Sequence, residues 1–147
     1  MRKTMNVLGM LRPKYSLTYL QGEDLLKDGL ALLQSSGYTA VPVIDEQGKY
    51  VGSVSEGDFL RVLLERGMDA LNQLKIKDII KQGFNLAVTD DVEVDVLLQR
   101  ALDQNFIPMV DDRDCFIGII TRREIIKSML EDKKDTLLLF SEEMMEI

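Results

Sequence analysis

This 147-residue chain has no histidine and a single cysteine, Cys115. The first omission removes the side chain that titrates nearest neutral pH and serves most often as general base and metal ligand. The second leaves a thiol that can close no internal disulfide and has no Cys or His partner at metal-binding spacing. The carboxylates that remain fall mostly at helix starts and turns. No base, nucleophile and orienting group come together, so the chain reads as a non-enzyme that needs no cofactor.

Positive charge is scarce too: 18 Lys and Arg stand against 25 Asp and Glu, for a net charge of −7. Nucleic-acid binding relies on cations that displace counterions from phosphates, so this balance disfavours a polyanionic partner. A small anionic ligand needs only a local positive patch and stays open. No apolar run approaches the ~20 residues of a membrane span, and the stretch from Val7 to Leu11 is too short for the core of a signal peptide. A cytoplasmic location and no membrane partner are expected.

What the chain does have is a repeat. The stretch from Thr39 to Leu64 slides onto Asn105 to Leu130 without a gap. Pro42 falls on Pro108, Asp45 on Asp111, Gly52 on Gly118, Ser55 on Thr121, Asp58 on Glu124 and Lys49 on Cys115. Each copy reads as a strand with a proline, a turn, a second strand and a helix opened by Ser-x-x-Asp or Thr-x-x-Glu. A unit of about 60 residues buries too little surface to be stable alone, so the copies are expected to share an interface and fold as one body.

Taken in order, the basic lead-in with Arg2, Lys3, Arg12 and Lys14 reaches a strand over Leu17 to Leu20. A helix over Glu23 to Ser36 stops at Gly37, and a hairpin over Tyr38 to Ser55 precedes a helix over Asp58 to Arg66. Gly67 to Leu74 connects the copies, followed by a helical turn over Ile76 to Lys81. The second copy runs as strand Phe84 to Val88, helix Val92 to Gln104, strands Phe106 to Val110 and Cys115 to Thr121, and helix Arg122 to Leu130. The helices over Asp58 to Arg66 and Arg122 to Leu130 are more apolar than one sheet can cover, which predicts a homodimer. The tail, with Leu137 to Phe140 and Met144-Met145, reads as an amphipathic helix.

The two helix openings carry the functional argument. Free N–H groups and the positive end of the macrodipole favour an anion there. The acid of each motif either closes a capping box or takes hydrogen bonds from a ribose. Pro42 and Pro108 lack a ladder donor, so backbone groups beside them, at Ala40 and Val41 and at Phe106 and Ile107, are candidates to bond a flat heterocycle. Arg122 and Arg123 sit at a helix start, where cations oppose the dipole unless an anion is bound. Their replacement by alanine is therefore expected to leave the empty protein equally or slightly more stable.

The tandem pattern Gly37-Tyr-Thr-Ala-Val-Pro-Val-Ile-Asp and Gly52-Ser-Val-Ser-Glu-Gly-Asp, then Phe106-Ile-Pro-Met-Val-Asp-Asp and Gly118-Ile-Ile-Thr-Arg-Arg-Glu, resembles a CBS-domain pair from about Leu8 to about Leu130. The resemblance implies an α+β fold of two β-α-β-β-α repeats, packed sheet to sheet about a pseudo-twofold axis, with adenine-nucleotide sites in the clefts between them. The expected units are residues 8–70, residues 75–132 and an amphipathic tail over 133–147. By the same likeness Ser55, Asp58 and Thr121 hold phosphate and ribose, and Glu124 departs from the family's aspartate by one methylene. The chain is also similar to small stand-alone two-CBS-domain proteins of Gram-positive bacteria, some of which bind cyclic di-AMP, and this adds Tyr38, Thr39, Arg122, Arg123 and Lys14 as ligand contacts. The implied function is a sensor of AMP, ATP or cyclic di-AMP that acts through an unidentified effector protein. The alternative is a dimerisation module with no working ligand site.

Overall fold

The computed structural model describes residues 6–81, 83 and 85–131, and the tail expected over 133–147 lies outside them. After a lead-in with strand β1 (Arg12–Pro13), the first repeat has strand β2 (Leu20–Gln21), helix α1 (Leu26–Ser36), strands β3 (Ala40–Ile44) and β4 (Tyr50–Ser55), and helix α2 (Glu56–Arg66). A short helix, α3 (Ala70–Gln73), follows. The second repeat has helix α4 (Val94–Ala101), strands β5 (Phe106–Val110) and β6 (Phe116–Thr121), and helix α5 over 122–131. Local chemistry explains why both hairpins form. The Asp45 carboxylate accepts from the amides of Gln47 and Lys49 at 2.8 and 2.9 Å, and that of Asp111 accepts from Arg113 and Cys115 at 2.9 and 3.0 Å. Such Asx-type turns reverse the chain without outside help.

The connection between copies, Gly67 to Leu74, contains α3. Two expectations are corrected. The expected strand over 84–88 reduces, in its described part, to a single parallel bridge from Val88 to Met109. The first repeat's opening strand falls on Leu20–Gln21 rather than Leu17 to Leu20.

The two sheets are not each built from one repeat. One has the order β2-β3-β4, but the other has β1-β6-β5, so that the lead-in of the first repeat supplies a strand to the second. Arg12 lies opposite Ile119 and Pro13 opposite Gly118. The same lead-in buries Val7 and Met10 in the second core, beside Leu97, Ile107, Met109 and Ile120. The lead-in of the second repeat does the converse. Ile76 sits wholly buried in the first core with Leu20, Leu26, Leu33 and Phe59, and backbone bonds from Leu26 N–H to Leu74 C=O and from Lys77 N–H to Gly22 C=O, both 2.9 Å, fasten it. Gly29 makes room for it, since a Cβ there would lie 2.2 Å from Ile76 Cδ1. Lys75 and Lys77 each reach Glu23 at 2.7 Å and hold its carboxyl down at about 2, although so exposed a pair adds little stability.

Between the sheets lies a third cluster of Ile44, Phe106, Phe116 and Ile119, joined by Tyr19 and Tyr50. The Tyr50 ring stacks on Phe116, and its hydroxyl donates to the Asn85 carbonyl at 2.6 Å. Burial raises this phenol well above its ordinary pKa, so it stays a donor at every physiological pH. Backbone bonds from Tyr50 N–H to Asp114 C=O and from Phe116 N–H to Gly48 C=O, at 3.2 and 2.9 Å, close the seam.

The two glycines matched by the repeat mark where the lead-ins cross. Gly118 has φ 156°, and a Cβ on it would fall 2.2 Å from the Arg12 carbonyl oxygen; on Gly52, at φ 151°, it would meet only the Ile80 side chain. Side-chain tips yield and backbone does not. Gly118→Ala is therefore expected to destabilise by more than about 1 kcal/mol and to lower Tm by more than about 3 °C, with Gly52→Ala losing less. Calorimetric melting of both variants checks the order; an equal loss would mean that the Arg12 contact is not what fills the space.

Candidate functional site

A cleft of about 310 Å³ opens between the two repeats. Of the residues singled out from sequence, Tyr38, Thr39, Ala40, Pro42, Phe106 and Thr121 line it. Strand β3 explains how the first of these come to face open space. β2 pairs only with Val43 and Ile44, so the flank of Ala40 turned away from β4 has no strand beside it among the described residues. Pro42 has no N–H to give to its opposite residue, Ser53, and the alternation of an antiparallel ladder puts Ala40 in the same class. The N–H and C=O of Ala40 thus point away from β4.

Arg12, Leu17, Thr18, Asn105 and Ile119 also line the cleft and were not singled out from sequence as site residues. Asn105 is the repeat counterpart of Thr39 and was legible by carrying the match through. Arg12 gave no such signal, because only the crossing of the lead-in brings it here. Its guanidinium makes no hydrogen bond or ion pair among the described residues. Among the described residues no carboxylate lines the cleft, so a chain of net charge −7 presents a local positive site.

The two helix openings, alike in sequence, differ in state. At α2 the box is closed: Asp58 Oδ2 accepts from Ser55 N–H at 2.8 Å and from the Ser55 hydroxyl at 3.1 Å, while Asp58 N–H donates to Ser55 Oγ at 3.3 Å. Arg61 sits 3.4 Å from the other oxygen, and Asp58 is buried. Ser55 and Asp58 are satisfied by one another and neither lines the cleft. At α5 the box is half made. Glu124 N–H donates to Thr121 Oγ1 at 3.3 Å, and no bond returns from the Glu124 side chain among the described residues. The Thr121 hydroxyl proton remains free on the cleft wall.

Arg122 stands at the start of α5 but is also engaged with the end of another helix. Its Nε donates to Ala101 C=O at 2.6 Å, one terminal nitrogen to Leu102 C=O at 2.9 Å and the other to Asn105 Oδ1 at 3.0 Å. The two carbonyls are orphan acceptors at the negative end of α4, so the cation that opposes one dipole completes another. Repeat geometry supplies the reason. The path from Leu20 to its partner Val43 is longer than the path from Val88 to its partner Met109. α1 ends with Ser35 and Ser36 hydroxyls donating to Leu32 and Leu33 carbonyls and with left-handed Gly37. The shorter second connection has none of these, and Arg122 takes their place. By holding Asn105 Oδ1, Arg122 also leaves the amide NH2 of Asn105 to serve the cleft.

The remaining expected contacts lie elsewhere. Arg123 is on a groove of α5 with Ile126 and Leu130. The Lys14 ammonium stands 5.1 Å over the Tyr19 ring. Pro108 accepts from Val88 N–H through its carbonyl at 2.9 Å.

The CBS-domain family model matches residues 10–65 and 76–131. By sequence the chain is similar to inosine-5'-monophosphate dehydrogenase of Methanocaldococcus jannaschii, 28% identical over 122 residues, covering 79% of this chain and 23% of that one. It is also similar to the chloroplastic CBS domain-containing protein CBSX2 of Arabidopsis thaliana, 25% identical over 152 residues, covering 86% and 64%. It spans between about a quarter and two thirds of the length of these curated relatives. Among solved structures, CbpB in complex with c-di-AMP superposes with a TM-score of 0.79 at 24% identity, covering 89% of this chain and 90% of that one. CBSX2 in complex with AMP gives 0.72 at 24% identity, covering 89% and 99%.

The two arginines should separate in single variants. Arg122→Ala is expected to cost about 1–2 kcal/mol, because three acceptors lose a charged donor at a partly exposed position. Arg123→Ala should stay within about 0.5 kcal/mol of wild type. Melting curves of the unliganded variants decide it, and an Arg122→Ala protein as stable as wild type would show that the cap carries no weight.

Proposed function

We propose, for a chain that belongs to the CBS-domain family, that the cleft between its repeats binds an adenine nucleotide and that the protein is a regulatory module rather than an enzyme. The observation that carries this reading is the lining of the cleft: among the described residues one uncommitted cation, Arg12, and no carboxylate, beside the unpaired strand flank at Ala40. An N–H and a C=O on one residue can meet N1 and N6 of adenine. Val41, Pro42, Phe106 and Ile119 supply apolar walls for the ring, while Thr18, Thr39, Thr121 and Asn105 supply donors for ribose and phosphate. The cleft volume, about 310 Å³, lies at the low end for ligand pockets, which favours one nucleotide unit. The solved neighbours, one with c-di-AMP and one with AMP, support the ligand class, and AMP, ATP and cyclic di-AMP are the candidates.

Calorimetry with AMP, GMP, cyclic di-AMP and adenosine tests it. AMP should bind more tightly than GMP, and Arg12→Ala should weaken AMP roughly tenfold or more by removing a charged hydrogen bond, with adenosine little affected. An equal loss for adenosine would remove Arg12 from the phosphate. Failure of every probe to bind would leave the dimerisation module as the reading.

Output is proposed to pass through a cytoplasmic effector protein and a homodimer. Leu60 and Leu64 on α2, and Ile126, Met129 and Leu130 on α5, are between 45% and 78% exposed, an apolar surface that a second copy would cover. Light scattering at micromolar concentration should give twice the chain mass, and Leu64→Glu with Ile126→Glu should halve it. A monomer for the unmodified protein would refute the dimer.

A further inference from the structure

The two lead-ins cross symmetrically but are fastened differently. The second is held on the first repeat by three backbone bonds, from Leu26, Ile76 and Lys77, by the paired lysines on Glu23, and by the full burial of Ile76. The first is held on the second repeat by a ladder of two residues, by Val7 and Met10, at 7% and 3% exposure, and by Leu11 packed beside them. That attachment carries Arg12 into the cleft, so a ligand there touches both the lead-in and the strand it docks on. Ile119 lines the cleft directly opposite Arg12, and Thr121 ends the same strand.

We propose that residues 7–13 form a latch on β6 that an occupied cleft holds closed. The inference rests on the nucleotide reading of the cleft and adds how occupancy is signalled. With the latch open, Arg12 leaves and the cleft loses its cation, so a phosphate-bearing ligand binds the closed state selectively. A ligand that favours one of two states shifts the balance toward it, and closure raises affinity by the same factor. The open state uncovers the unpaired edge of β6 and the slots of Val7 and Met10, a strand edge beside an apolar strip. The empty protein offers that surface and the loaded protein hides it.

Hydrogen exchange followed by mass spectrometry on the full chain tests the latch, with AMP and cyclic di-AMP as probes. Peptides over residues 7–13 and 116–121 should slow on binding, by up to about a hundredfold at a probe concentration a hundred times Kd. The peptide over 74–80 should not change. Met10→Ala, which leaves Arg12 in place, should speed exchange of 7–13 in the empty protein and weaken AMP several-fold; Val7→Ala, at a shallower position, serves if Met10→Ala does not fold. Binding seen by calorimetry with unchanged exchange over 7–13 would overturn the latch and leave the nucleotide reading standing. If neither probe binds, the nucleotide reading fails and the nucleotide latch fails with it.

Discussion

The structure depends on an exchange: each repeat completes its neighbour's core with the residues that precede its own first strand. Ile76 fills the first core and Met10 the second. A repeat of this size is short of buried surface, and a sheet of two strands is marginal in water. The exchange gives the second hairpin an edge partner in β1 and gives the first core its buried isoleucine. Glycine at 118 is what lets backbone lie against backbone at the crossing, since any side chain there would displace Arg12.

From that constraint follows the polarity of the cleft. Thr121, Asn105 and Phe106 come from the second repeat, Tyr38 to Pro42 from the first, and Arg12 from the segment that leaves one for the other. The site exists only where the three meet. Its electrostatics come from distribution rather than from composition. The acid of the first helix opening is consumed by its own cap, Arg61 answers that acid, and Arg122 is drawn to the end of α4. Arg12 is the cation that lines the cleft, and it has no partner among the described residues.

Local patterns were legible in the sequence and crossings were not. The hairpins and their turns followed from Asp45, Asp111 and the alternation around Pro42 and Pro108, because each depends on residues within reach along the chain. The paired helix openings were legible too, but not their states: Ser-x-x-Asp and Thr-x-x-Glu are equivalent as spacing, and spacing does not tell which acid turns back on its own cap. The start of α5 at Arg122 is legible, but its second role is not, because its partners lie well upstream, at a helix end whose position depends on a connection shorter than its counterpart. Arg12 was noted only as lead-in charge, since nothing near it in the chain points to β6.

The crossing at Gly118 also sets an order on assembly. Arg12 and Ile119 meet from nearly opposite ends of the described chain, whereas Gly22 and Lys77, which fasten the other lead-in, are far closer in sequence. Loop closure costs more entropy as the loop lengthens, and long-range pairing tends to come late. During synthesis the first core has all of its parts once Ile80 has emerged, yet the second waits for β6 while holding its edge strand ready from the start. Between those two moments the nascent chain carries Val7 and Met10 with no core to receive them, and the mature cleft comes into being with the last pairing made.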